Sequence, residues 1–324
     1  MRAVRIHELN GPSALRVDEV PDPVVAAGQV LIEVKAAGVN FPDILQTRGM
    51  YQFKPTPPFS PGGEAAGVVR AIGDGVKSVA VGDRVAATVL YGAYAELLVV
   101  PELAVVKLPD EVPFDVGAAT LLTYATTYHA LSDRAALQKG ETMLVLGAAG
   151  GVGIAAVELG QLMGARVIAA ASSLEKLAFC RAHGASYTID YSKEDLKAQV
   201  KDITKGGGVD VVYDPVGGPL AEQALRGMAW QGRYLVVGFA SGEIPKIPLN
   251  LVLLKGCQVV GVFWGNFAMR EPAKNRAHAQ QIFKWIADGR LRPAIDATLG
   301  FSEAAEALGR LEQRLVKGKI VLVP

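Results

Sequence analysis

Val145-Leu-Gly-Ala-Ala-Gly-Gly-Val-Gly153 is the stretch whose reading decides the fold. It follows Thr142-Met-Leu-Val145, a short apolar run that predicts a buried strand, and precedes Ile154–Met163, an apolar run of helical length closed by Gly164. Strand, glycine turn and helix open a dinucleotide-binding βαβ unit. Residues with no Cβ, or a small one, let backbone approach a pyrophosphate. The helix N-terminus then offers unpaired N–H groups and the positive end of its dipole. Ala149, Gly150, Gly151, Val152 and Gly153 are therefore the candidate pyrophosphate contacts. Tight helix-on-strand packing is the competing reason for such glycines. A second strand, Arg166-Val-Ile-Ala-Ala-Ala171, in register after the helix favours the cofactor.

The chain around this turn has 324 residues, enough for two domains, and is 50% apolar and 20% charged, an ordinary balance for a globular protein. A formal net charge of +1 gives no reason to expect nucleic acid or an anionic membrane as partner. No apolar run approaches the ~20 residues of a membrane span, and Met1–His7 lacks the apolar core of a secretory signal. The two cysteines, Cys180 and Cys257, form no close pair, which argues against a disulfide framework or a Cys-rich zinc lobe and suits the cytoplasm.

Upstream, residues 1 to about 120 carry short β runs broken by Gly and Pro: Arg2–His7, Val30–Ala36, Gly67–Ile72, Arg84–Ala87, Tyr94–Val100 and Ala104–Leu108. They predict a mainly β domain, a small curved barrel. Two stretches differ from the rest, Gly38-Val-Asn-Phe-Pro-Asp-Ile-Leu-Gln-Thr-Arg-Gly-Met-Tyr51 and Phe59-Ser-Pro-Gly-Gly-Glu-Ala-Ala-Gly67, joined by a Pro-rich loop. Gly117–Leu131 predicts a long, largely apolar helix, Val209–Asp214 a buried strand followed by a turn, and Gly232–Phe239 another strand. Cys257–Trp264 reads as the last strand of that sheet. Ala277–Gly289 and a segment opening at Ser302 read as helices, and Gly318–Val323 as a closing strand.

Gly-Val-Asn-Phe-x-Asp, then Arg-x-Gly-x-Tyr, then Pro-Gly-x-Glu, then the glycine turn, resembles the medium-chain dehydrogenase/reductase superfamily, and within it the zinc-free quinone oxidoreductase branch that includes zeta-crystallin. The resemblance covers essentially the whole chain. It implies an α/β fold in which a doubly wound Rossmann sheet (residues 122–265) is inserted into a β-rich GroES-like catalytic domain (1–121 and 266–324), with the active site in the cleft between them. Zinc alcohol dehydrogenases are expected to carry Cys and His where this chain has Asn40 and Phe41, and His where it has Gly63. Asn, Phe and Gly supply neither the thiolate nor the imidazole that a catalytic zinc prefers, so no metal is expected.

Each front-domain candidate has a bland reading beside the functional one. Asn40 is placed to orient a substrate carbonyl or the nicotinamide ribose, or is a turn residue. Tyr51 offers a hydroxyl to a developing oxyanion, or packs on the Pro-rich loop. Asp43 reads as the N-cap of a helix starting at Ile44, Arg48 as an ion-pair partner, and Glu64 as a structural brace. In relatives the Thr of a Thr-x-Tyr-x-Ala-Leu signature lies near the nicotinamide, which nominates Thr126. Its alternative is a hydroxyl bonded back to its own helix. His129 reads as a packed or surface residue.

The end of the second strand selects the cofactor. An NAD site wants an acid there to accept from the ribose 2′-OH. This chain has Ser172, Ser173 and then Lys176, hydroxyls and an ammonium that favour a 2′-phosphate, while Glu175 falls in the first turn of the next helix. NADPH is therefore the expected cofactor. The resemblance adds Tyr191 and Arg314 as contacts to its phosphates, and Phe263 and Trp264 at the nicotinamide or at a homodimer interface built on the last strand. Gly238 and Phe239, at a strand's carboxyl end, are candidate backbone contacts. The expected reaction is hydride transfer to a quinone. An enone or enoyl-thioester reductase, and a crystallin-like protein that holds NADPH with little turnover, are the alternatives.

Overall fold

The computed structural model describes residues 1–324. Its strands, in chain order, are β1 (Arg2–Ile6), β2 (Leu15–Glu19), β3 (Gln29–Gly38), β4 (Glu64–Ile72), β5 (Arg84–Thr88), β6 (Leu97–Pro101), β7 (Val105–Lys107), β8 (Thr142–Leu146), β9 (Arg166–Ala171), β10 (Tyr187–Asp190), β11 (Val209–Asp214), β12 (Met228–Val236), β13 (Gln258–Gly261), β14 (Ile295–Gly300) and β15 (Lys319–Val323). Chain contacts divide the molecule into two units, Met1–Leu122 with Pro272–Pro324, and Thr123–Glu271. No helix is long and apolar enough to cross a membrane.

The first unit is built on β3. One edge of this strand pairs with β4 along its length, while the other is shared by β6 near its start and β15 near its end. Two register shifts in the β3–β4 ladder bend the pair, as bulges do. The sheet runs β14-β15-β3-β4-β5-β7, with β6 on β3. Val30, Ile32 and Val34 alternate inward and join Tyr94, Phe301, Leu308 and Leu322 in one core. Strands β14 and β15 come from the far end of the chain, so this unit is closed by residues distant in sequence.

The second unit is a parallel sheet in the order β10-β9-β8-β11-β12-β13. This is the doubly wound order, with its reversal between β8 and β11. Strand β8 is buried at every residue, which is why its sequence is a continuous apolar run. The helix Gly151–Leu162 lies close on the sheet: a Cβ at Gly160 would fall 2.4 Å from Met143 Cε.

Three expectations need correction. Gly117–Leu131 is not one α-helix. Phe114–Ala118 is α-helical, and two π-helical segments, Leu121–Ala125 and His129–Arg134, flank a single α turn at Thr126–Tyr128. Hydroxyls bonded back to the helix, such as Thr127 to the Thr123 carbonyl at 2.8 Å, accompany these departures. The last Rossmann strand stops at Gly261, where its partner β12 runs out at Val236, and Trp264 begins a helix to Arg270. Phe267 of that helix stacks on His129 with ring centroids 3.9 Å apart, and both lie in the unit Thr123–Glu271. Finally, β12 ends at Val236, leaving Gly238 and Phe239 in the turn beyond it.

Candidate active site

The glycine turn has the form a phosphate site requires. Gly147 leaves β8 with φ of +57°, a left-handed conformation that glycine adopts without strain. A Cβ on Gly153 would lie 2.2 Å from the Gly147 carbonyl oxygen, so this glycine is fixed by close approach of turn and helix. A Cβ on Gly150, in contrast, would meet only that same oxygen, at 3.5 Å. Gly150 is the N-cap of a twelve-residue helix with no acidic residue in its first turn. Its free N–H groups and positive dipole end face no competing carboxylate. Ala149, Gly151 and Val152 complete this turn, and the residues present fit a bound pyrophosphate.

At the end of β9, Ser172 is exposed and Ser173 is the N-cap of the helix Leu174–Ala182, its hydroxyl accepting the Lys176 N–H at 3.3 Å. One of the two hydroxyls proposed for phosphate thus also serves the backbone, while its own proton remains available to a ligand. Lys176 is half-buried on that helix, beside exposed Glu175 in the first turn. Tyr191 packs against the second unit's core, just past β10. Phe239 is 38% exposed and lies against Gly217, whose added Cβ would sit 2.9 Å from the Phe239 ring. Phe263, 50% exposed, caps the helix that Trp264 begins. Arg314 belongs to the first unit, in a left-handed turn with φ of +59° after the helix Ala304–Glu312.

Thr126 opens the α turn between the two π segments and is half-buried. Its neighbour Thr127 is the fully buried one, its hydroxyl 2.8 Å from Tyr213 on β11. His129 is buried, its Nδ1 2.8 Å from Asp133.

In the first unit, Asn40, Asp43 and Glu64 form a connected group around a buried cation. Lys319, on β15, is 4% exposed, and its ammonium donates to Glu64 Oε1 at 2.7 Å, to the Val39 carbonyl at 2.8 Å, and to Asn40 Oδ1. Asn40 Nδ2 donates back to Glu64 Oε1 at 2.8 Å and to the Gly38 carbonyl at 3.2 Å. Glu64 Oε2 accepts the Leu122 N–H at 2.8 Å. The Asn40 side chain is therefore held by Lys319, Glu64 and the Gly38 carbonyl. It is also the N-cap of the helix Phe41–Thr47. Asp43, expected to be that cap, sits instead at the third helical position and accepts the Asn40 N–H at 2.8 Å, because Asn-x-x-Asp spacing forms the acidic half of a capping box.

Asp43 is wholly buried. Its Oδ2 also accepts the Tyr94 hydroxyl at 2.7 Å, whereas Oδ1 is buried with no partner. Burial pushes its carboxyl up to about 7, against the pull of Tyr94, the Asn40 N–H and Lys319. Burial, and then the negative charge of Asp43, raise the Tyr94 phenol well above its ordinary range. Tyr51 is half-buried, with its ring 6.2 Å from that of Phe53, and its phenol is raised by burial and, second, by Asp43. Arg48 donates to Glu312 Oε1 at 2.8 and 3.1 Å.

Lys319 and Tyr94 are the members of this group that the sequence did not suggest. Lys319 opens an otherwise apolar closing strand, Lys-Ile-Val-Leu-Val, and a charge facing a buried strand start was the available signal. Tyr94 stood at the head of an expected strand, with nothing to distinguish it from a core aromatic.

The family model described as alcohol dehydrogenase GroES-like domain matches residues 26–110, and that described as zinc-binding dehydrogenase matches residues 151–281. No three His, Cys, Asp or Glu side chains of this chain come together to hold a metal ion. The chain is 40% identical over 324 residues to a quinone oxidoreductase-like protein 2 homolog of Nematostella vectensis, covering 99% of this chain and 88% of the relative. It is 36% identical over 325 residues to a quinone oxidoreductase of Pseudomonas aeruginosa, covering 100% and 99%. The crystal structure of Escherichia coli quinone oxidoreductase complexed with NADPH matches with a TM-score of 0.94 at 29% identity, covering 100% of both chains.

Proposed function

The chain belongs to the quinone oxidoreductase branch of the medium-chain dehydrogenase/reductase superfamily, and on that footing we propose that it reduces quinones, or related activated acceptors, with NADPH and without zinc. The glycine turn at the open N-terminus of Gly151–Leu162 is the observation that carries this reading. When bound, the nicotinamide cofactor supplies the hydride.

The chain's own residues bind, orient and exclude water. Ala149, Gly150, Gly151, Val152 and Gly153 hold the pyrophosphate. Ser172, Ser173, Lys176 and Tyr191 meet the 2′-phosphate, where an acid would repel it, and Arg314 adds a cation for the cofactor phosphates. Gly238, Phe239, Phe263, Trp264 and Thr126 border the nicotinamide. Tyr51 offers its hydroxyl to the acceptor oxygen, which gains negative charge in the transition state. Asn40, held by Lys319 and Glu64, shapes the acceptor's side of the site. Zinc independence rests on donor chemistry: Asn40, Phe41 and Gly63 offer no thiolate or imidazole, and Glu64 is already neutralised by Lys319.

We further infer a homodimer. Strand β13 is the outer edge of the second unit's sheet, with Val259 45% exposed, and Leu249 and Leu253 of the same unit are 77% and 78% exposed. The two buried, unpaired cysteines fit a cytoplasmic site of action.

The test is anaerobic NADPH oxidation, beside NADH, on matched panels of quinones, enones and enoyl thioesters. Fast quinone turnover with NADPH preferred is the expected result. Turnover of conjugated alkenes alone moves the function to an enone or enoyl-thioester reductase. Tight NADPH binding with no oxidation by any acceptor identifies a binding protein instead.

A further inference from the structure

We propose that Asp214 is a positioning residue for NADPH. It holds the turn Pro215–Gly218 and the loop Val237–Glu243 together as one wall beside the cofactor's nicotinamide half. The inference rests on the cofactor placement proposed above and adds the residue that fixes one side of it. Every group involved belongs to the unit Thr123–Glu271.

The first observation is how a buried charge is used. Asp214 ends β11, the strand beside β8, and the sheet order reverses between these two strands. Ligands of such sheets lie in the crevice at that reversal, outside the carboxyl ends of the strands. A carboxylate buried there is costly unless hydrogen bonds compensate it. Asp214 is buried, and its Oδ1 accepts the Val216 N–H at 2.7 Å and the Gly217 N–H at 2.9 Å. Its Oδ2 accepts the Tyr234 hydroxyl from β12. Burial, and then the charge of Asp214, raise the Tyr234 phenol above its ordinary range, so it stays a donor. Two of the three bonds therefore go to the backbone of the turn.

The second observation is what that turn is fastened to. The Asp214 carbonyl accepts the Val237 N–H at 2.9 Å, that of Pro215 the Ala240 N–H at 3.0 Å, and that of Val216 the Ser241 N–H at 2.9 Å. The Gly218 N–H returns to the Glu243 carbonyl at 3.1 Å. Gly217 and Gly218 are left-handed, with φ of +67° and +62°, which lets the turn lie flat against Phe239. Turn and loop thus form one piece that carries Phe239. On its other side, Val216 Cγ2 stands 2.7 Å from a Cβ built on Gly147. Val216 therefore packs on the residue that opens the glycine turn.

The neighbouring residue anchors the strand from its opposite face. Tyr213 points away from Asp214 and bonds the Thr127 hydroxyl at 2.8 Å. With the end of β11 fixed, Asp214 Oδ1 sets where the turn beyond it lies.

The 2′-phosphate candidates Ser172, Ser173, Lys176 and Tyr191 follow β9 and β10, across β8 from Asp214. The two ends of the cofactor are thus served by opposite halves of the sheet. Loosening the Asp214 wall should weaken the hold on one end and spare the other.

The test is calorimetric titration of the whole chain with NADPH and with 2′,5′-ADP, which keeps the 2′-phosphate but lacks the pyrophosphate and the nicotinamide. The wild type should bind NADPH more tightly than 2′,5′-ADP. Asp214→Ala should weaken NADPH about tenfold or more and 2′,5′-ADP by less than about twofold. Asp214→Asn keeps an oxygen for the two N–H groups and should return NADPH affinity to within about threefold of the wild type. Val216→Ala leaves every bond of Asp214 in place and trims only the contact on Gly147. It should weaken NADPH about threefold or more, again sparing 2′,5′-ADP. Equal losses of both ligands in Asp214→Ala would show a residue that serves the unit's fold alone and would overturn the proposal. Wild-type NADPH affinity in that variant would overturn it as well. If Asp214→Ala does not fold, Val216→Ala decides, and unchanged NADPH affinity there overturns the proposal. A wild type that binds neither ligand defeats the proposed function itself, a result distinct from any of these.

Discussion

Replacing Lys319 by Met tests what holds the first unit's site together. Its ammonium is 4% exposed and faces a Glu64 carboxylate that is 1% exposed, at 2.7 Å. Methionine fills a similar volume but donates nothing. Glu64 then keeps only the Asn40 amide and the Leu122 N–H, each at 2.8 Å, and remains a buried charge with no counterion. Stranding such a charge costs about 3–5 kcal/mol, a large part of the roughly 5–15 kcal/mol by which a domain is stable. Glu64→Gln strands the lysine instead and should cost a similar amount. The double variant Lys319→Met/Glu64→Gln buries no unpaired charge, because Gln still accepts from Leu122. It should therefore be no less stable than either single variant, giving a coupling energy of about 2 kcal/mol or more. Urea titration read by amide hydrogen exchange in β3, β4 and β15 isolates this unit from the other. A single-variant cost below about 1 kcal/mol, or a double variant that loses the full sum, would refute the reasoning.

Three further outcomes follow from the structure. Asp43 is raised from its ordinary 3.8 to about 7, so the folded chain holds a proton that the unfolded chain has released. That stability is complete below the unfolded pKa and lost as pH rises through about 7, at about 1.4 kcal/mol per pH unit and about 4 kcal/mol in all. Urea midpoints should therefore decline over this window in the wild type and stay flat in Asp43→Asn; parallel curves would contradict it. Lys176→Glu should weaken NADPH binding about tenfold or more while sparing NADH, as read by fluorescence titration, and equal losses for both would remove Lys176 from 2′-phosphate recognition. Gly153→Ala should abolish cofactor binding or soluble expression, because its Cβ would lie 2.2 Å from the Gly147 carbonyl oxygen, and a variant of wild-type affinity would show that the turn yields.

The second unit was legible because its strands write themselves locally. Parallel strands buried on both faces become continuous apolar runs, and β8, β9 and β11 were each placed from such runs. Strands β2 and β14 escaped notice because they are half-exposed, and their residues carry no sustained alternation. The long helix expected over Gly117–Leu131 failed for a different reason. Apolar periodicity reports that a face is buried, not how many residues make each turn, and hydroxyls within the run compete for its carbonyls. In the site, Asn40 and Asp43 were marked by residue type, but what each does depends on Lys319, 255 or more positions from its partners. Charge compensation at that separation leaves no trace in a window of neighbouring residues.

A ribosome makes Glu64 long before Lys319. Until the last strand emerges, β3 lacks one of its neighbours, and the buried carboxylate of Glu64 has no cation to meet it. The inserted unit, Thr123–Glu271, is contiguous and free to fold as it appears, at the pace of translation. Assembly therefore runs from the middle of the chain outward, and the earliest residues made are among the last to settle. A chain cut short before β15 carries a finished nucleotide-binding unit on an unfinished catalytic one, which chaperones and proteases can recognise by its exposed sheet edge.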